Sequence, residues 1–131
     1  MGLDNGIMIR KMPENRIAEI PNFLNMEIYG NNDVEIAYWR KCWGIRNDII
    51  NKLHLPIEGE GSFKLDKEDI SAIIKILTKY FSREYWEENA DSIWKYEEYF
   101  DNMLNIMLNL KWLESYMALN SNIEVEFYDS Y

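Results

Sequence analysis

Cysteine and histidine are almost missing from this chain: Cys42 and His54 stand alone among 131 residues. One cysteine excludes an intrachain disulfide, and two soft donors cannot make a zinc site unaided, so neither a metal nor a cofactor is expected. A Cys–His nucleophile pair is poorly served as well, because Cys42 falls on an apolar stripe; a buried structural thiol is the favoured alternative. No apolar run approaches the roughly 18–20 residues that span a bilayer, so no membrane partner is expected. The opening residues 1–6 are neither basic nor continuously apolar, which argues against a signal peptide, and Gly6 replaces the Ser or Thr of a myristoylation signal. A cytoplasmic protein is the expectation. Phosphate-binding P-loops, H-E-x-x-H pairs, calcium-loop spacings and nucleophile elbows are also absent.

Positive charge is scarce and unevenly placed. Lys and Arg number 14 against 23 Asp and Glu, for a net charge of −9. Acids and bases balance over residues 1–53, so the whole excess falls on residues 54–131. Such a surface repels nucleic-acid phosphates and attracts basic proteins, so direct nucleic-acid binding is not expected. What the chain does hold is core material. Hydrophobic residues make up 47% and aromatics 15%, enough for one sizeable core, and residues 1–131 read as a single domain.

Residues 3–10 read as a strand, with Asp4-Asn5-Gly6 supplying a bulge or turn. Residues 16–20 suggest a short strand, and Gly30-Asn31-Asn32 a loop leading to Asp33 as a helix N-cap. Tyr38, Cys42, Ile45 and Ile49 recur at helical spacing and predict a first helix over 34–53, ended ahead of Pro56. Residues 58–62 read as a turn. A second helix starts at Asp66, with Ile70, Ile73, Ile74, Leu77 and Phe81 on one stripe. A third runs over 92–119, and its extra apolar residues Leu104, Leu108 and Trp112 imply either a central position or a homodimer interface. Strict alternation at Ile123, Val125 and Phe127 predicts a closing strand. The expected fold is α+β: a small antiparallel sheet with N- and C-terminal strands, packed against about three helices.

Two groups of residues bear chemistry. On the first predicted helix, Arg40, Trp43, Arg46 and Asn47, with Tyr38 and with Asp4 nearby, form an anion-plus-ring constellation suited to a phosphorylated small molecule. The alternative is that the indoles fill the core while the cations are solvated or paired. The second group is an acidic-aromatic one: Glu84, Glu87, Glu88, Trp94, Glu97, Glu98, Tyr99 and Asp101 suit a protein partner with a basic surface. A solvated helix face would look the same. Paired carboxylates there, or Asp4 or Asp48 with Arg40, keep a small hydrolytic or phosphate-handling enzyme open as a further alternative.

The opener Met1-Gly2-Leu3-Asp4, the run Glu35-Ile36-Ala37-Tyr38-Trp39-Arg40-Lys41, the segment Tyr96-Glu97-Glu98-Tyr99-Phe100 and the close Phe127-Tyr128-Asp129-Ser130-Tyr131 carry a resemblance. Together they resemble a set of uncharacterised small phage and prophage proteins that begin M-G-L-D, carry a central Y-W-R-K helix and end in an aromatic-serine-aromatic tail. The resemblance implies a phage accessory product working in the bacterial cytoplasm. Those proteins commonly follow Y-W-R-K with an Asn and then a His, where this chain has Trp43 and Arg46. Arg stays protonated and cannot serve as a base, which suits binding better than proton transfer. The expectation is a non-catalytic counter-defence inhibitor of the anti-CRISPR type; the alternatives are a small-ligand binder and a small phosphate-handling enzyme.

Overall fold

The computed structural model describes residues 3–40, 43–56, 60–80, 93–120 and 122–130. Among these residues five strands and four helices follow in the order β1 (Asp4–Arg10), α1 (Glu14–Ile17), β2 (Glu27–Ile28), β3 (Val34–Arg40), α2 (Trp43–Leu53), β4 (Glu60–Leu65), α3 (Lys67–Tyr80), α4 (Ile93–Leu119) and β5 (Glu124–Ser130). The strands form one antiparallel sheet in the order β2-β3-β1-β5-β4, so the fold is α+β with its first and last strands side by side. No helix among the described residues is long and apolar enough to cross a membrane.

Alternation along the strands puts Ile7 and Ile9 of β1, Trp39 of β3, Leu65 of β4 and Val125 and Phe127 of β5 on one face. There they meet Ile45 and Ile49 of α2, Ile70, Ile73 and Leu77 of α3, and Leu110 and Leu113 of α4 in one core. At roughly 1.5–3 kcal/mol per fully buried aliphatic side chain, this layer supplies most of the drive to fold. The alternate strand residues, among them Asp4, Met8, Arg10, Glu35, Tyr38, Arg40, Glu126 and Tyr128, lie on the opposite, open face.

The predicted first helix over 34–53 is a strand followed by a helix. Residues 34–40 form β3, with Tyr38 and Arg40 outward and Trp39 inward, and only Trp43 onward is helical. The error has a physical origin. Positions i and i+4 share a face in a strand as well as in a helix, so one stripe ran through the junction. A β-bulge deepened the ambiguity: Ile7 pairs with Ala37 and Met8 with Glu35, leaving Ile36 as the extra residue of β3. Asp33 accordingly caps no helix. Its carboxylate accepts the Lys11 backbone N–H at 2.9 Å and the Asn31 side-chain amide at 2.8 Å, closing the loop into β3.

Other boundaries also moved. Residues 16–20 contain the end of the one-turn helix α1, which starts after Pro13, rather than a strand. Residues 60–62 open β4, an edge strand, rather than a turn, while residues 58 and 59 of the expected turn lie outside the described residues. Asn5 and Gly6 lie within β1 in unbroken register with β5.

Helix ends explain two residues noticed in the sequence. Asp66 accepts the Asp69 backbone N–H at 2.8 Å while Asp69 accepts that of Asp66 at 3.0 Å, a reciprocal cap that starts α3 where predicted. His54 takes a left-handed conformation (φ 55°) just past α2, and the Leu55 N–H returns to the Ile50 carbonyl at 3.0 Å. The lone histidine is therefore a helix terminator. Cys42 lies outside the described residues.

Candidate functional site

One end of the sheet gathers the polar residues that the sequence scatters. Pleating sends neighbours to opposite faces: Asn5, Trp39 and Asp129 point inward, while Asp4, Tyr38 and Tyr128 point outward.

On the inner face Arg46 of α2, only 5% exposed, meets Asp129 of β5. Its Nε lies 3.2 and 3.1 Å from the two carboxylate oxygens, and Nη2 donates to Oδ2 at 2.9 Å. The Asn5 amide donates to the Asp129 Oδ1 at 2.6 Å, and Arg46 Nη1 reaches the Asn47 side-chain oxygen at 3.1 Å. The guanidinium carbon sits 5.8 Å from the centre of the Trp43 ring. Asn5 Oδ1 and the Trp39 indole N–H, on residues directly opposed across β1 and β3, have no partner among the described residues. This cluster is dry, and its cation already faces a carboxylate.

The outer face carries a strip of hydroxyls and carboxylates. The Tyr38 hydroxyl donates to Asp4 at 2.6 Å. Tyr29, just past β2, donates to Glu35 and also approaches Glu27 at 3.1 Å. The Tyr128 ring lies across β1, where a Cβ on Gly6 would come within 2.5 Å of it; glycine is needed there because the ring occupies its side-chain space. All three hydroxyls are held above their ordinary value. For Tyr29 the main cause is the hydrogen bond to Glu35, and for Tyr38 the bond to Asp4. For Tyr128 the cause is burial first, then the negative charge of Glu35.

Beside this strip a cleft of about 260 Å³ opens between β3 and α4, lined by Asn25, Glu27, Glu35, Tyr38, Asn105 and Asn109 among others. It exists because β2 pairs with β3 only at Val34 and Glu35 and then parts from it. Asn109, 3% exposed, wedges the parting: its amide nitrogen donates to the Asn25 carbonyl at 3.1 Å and to the bulged Ile36 carbonyl at 3.0 Å. Its own Oδ1 has no partner among the described residues.

The predicted ligand-binding residues are thus brought to one end of the molecule but divided by the sheet. Asp4, Tyr38 and Arg40 are on the open face, with Asp4 and Arg40 directly opposed. Arg46 is beneath the helices, while Trp43 and Asn47 are exposed on α2. A concave cationic surface does flank α2, but at another place. It is a groove of about 800 Å³ between α2 and α3, lined by Lys52, Lys67, Lys75 and Lys79 with Asp48 and Glu68. Of the predicted partner-binding residues, Glu84, Glu87 and Glu88 lie outside the described residues. Trp94, Glu97, Glu98, Tyr99 and Asp101 belong to α4, where side chains are described only from Met103 onward. Among the described residues no three His, Cys, Asp or Glu are grouped to hold a metal.

Sequence reasoning passed over Asn5, Asp129, Asn109, Glu27, Glu35, Tyr29 and Tyr128. For two of these a signal was present: continuing the alternation Val125, Phe127 by two residues reaches Asp129, and running Ile9, Ile7 backward reaches Asn5. The chain matches no protein-family model, no curated protein and no solved structure.

Proposed function

We propose that this chain acts by binding rather than catalysis, and that its partner is a protein with a basic surface. The observation that carries this is the outer strip, where Tyr29, Tyr38 and Tyr128 are set among Asp4, Glu27 and Glu35 on a sheet face that no described helix covers. Rigid aromatic rings beside carboxylates suit arginine-rich surfaces, by stacking and by charge-assisted hydrogen bonds. The net charge of −9 favours encounter of the whole chain with basic partners. The phage resemblance supplies the setting: a counter-defence protein that occupies a host immune component. The test is phage plating on a host with active immunity. Wild-type protein raises plaque counts, and reversal of Glu27 and Glu35, or of Glu97 and Glu98, to lysine removes the effect. Protection unchanged by both reversals overturns the proposal.

A second reading has its own observation, the four-lysine groove between α2 and α3. It suits a phosphorylated nucleotide or signalling ligand, held by Lys52, Lys67 and Lys75 rather than by Arg46. Native mass spectrometry separates the two: a co-purifying nucleotide-sized mass that Lys67→Glu with Lys75→Glu abolishes favours sequestration.

A further inference from the structure

We infer that the cleft between β3 and α4 takes a guanidinium, the side chain of an arginine presented on an extended segment of the basic partner. This rests on the binding role proposed above and names the contact. The charged side chains that line the cleft, Glu27 and Glu35, are both acceptors. Glu27 and Glu35 flank a single Tyr29 proton, and the Tyr38 proton is committed to Asp4. Asn109 adds an independent sign: it lines the cleft at 3% exposure, and its Oδ1 is unpartnered among the described residues while its nitrogen is fully used on two carbonyls. A buried acceptor without a donor is rare in folded proteins.

Two carboxylates exclude an anion and favour a cation. The carboxylates stand on separate strands, Glu27 on β2 and Glu35 on β3, so a ligand that meets both must donate in more than one direction. The five N–H donors of a guanidinium, spread in a plane and weakly hydrated, meet that demand better than a compact ammonium. At about 260 Å³ the cleft far exceeds the ~10–15 Å³ that one water requires. On the side of β3 away from β1, residues 37–39 have no strand pairing among the described residues, so an extended segment can pair along them while its arginine enters the cleft.

The experiment titrates the full chain, by amide NMR, with N-acetyl-arginine-N-methylamide and with an alanine-based heptapeptide carrying one central arginine. Lysine and citrulline versions of the peptide serve as comparators. The arginine peptide should shift the backbone amides of residues 36–40 and the Asn109 side-chain amide. It should bind at least tenfold more tightly than the single capped residue or the lysine peptide, with the citrulline peptide weakest. Glu35→Gln should weaken it about tenfold and Glu124→Gln leave it unchanged. Equal binding of the lysine and arginine peptides, or indifference to Glu35→Gln, overturns the inference. So does a titration that moves none of these signals. If the cleft fails this test while reversal of Glu97 and Glu98 still abolishes phage protection, the binding role stands without it. If protection too is indifferent to every reversal, both fall.

Discussion

Asp4 and Asn5, Tyr38 and Trp39, Tyr128 and Asp129 are three pairs of sequence neighbours that the pleat divides between two environments. On the inner face a carboxylate, an amide and a guanidinium are sealed together under α2. On the outer face a carboxylate accepts a hydrogen bond from a neutral phenol in contact with water. Dry, the bond holds elements together, because neither charge can separate without remaining unpaired in a low-dielectric interior. Wet, it adds little to stability, and its groups stay available to a partner. Neighbours in sequence thus serve as scaffold on one face and point outward on the other.

Breaking the inner side should produce the largest effect. Arg46→Met strands the Asp129 carboxylate and should cost about 3–5 kcal/mol in urea unfolding, whereas Arg46→Met with Asp129→Leu should recover most of that loss. Asn109→Leu leaves the buried Ile36 carbonyl without its donor and should cost about 1–3 kcal/mol in the same assay. A loss below one kcal/mol would mean that the wedge between β2 and β3 is dispensable. Gly6→Ala forces the Tyr128 ring off β1, for about 1–2 kcal/mol, and should bring the Tyr128 hydroxyl back toward its ordinary value in an ultraviolet pH titration. Tyr38→Phe, on the wet side, should change stability by less than about 0.5 kcal/mol while weakening any partner held at the strip.

The outer face also predicts a direction with pH. Tyr29, Tyr38 and Tyr128 hold their protons more tightly when folded than the ordinary value of 10.0. Their contribution is therefore fully present below pH 10 and is lost as pH rises through the raised folded values. Unfolding midpoints should fall above pH 10, with these phenols ionising after tyrosines of ordinary value. A Glu35→Gln variant should bring Tyr29 forward in that order.

How much of this was legible depended on whether one pattern had one meaning. The closing strand showed unbroken alternation and the second helix an apolar stripe with an acidic start, and both stand where expected. Residues 34–53 failed that condition, since the bulge at Ile36 places Ile36 and Ala37 inward in succession and erases the alternation of β3. The candidate site failed it more completely. Arg46 lies beside Ile45 and Ile49 on the buried side of α2, but nothing local says whether a cation there snorkels to water or meets a carboxylate.

From composition and periodicity alone came the α+β class, the presence of the two terminal strands, the second and third helices and the acidic balance, because each depends on residues close in sequence. Tertiary structure decided which polar groups are dry. Asn5 meets Asp129 across 124 positions, Arg46 meets it across 83, and Asn109 reaches the Ile36 carbonyl across 73. Desolvation is a property of what covers a group, and the covering residues come from elements that only folding brings together.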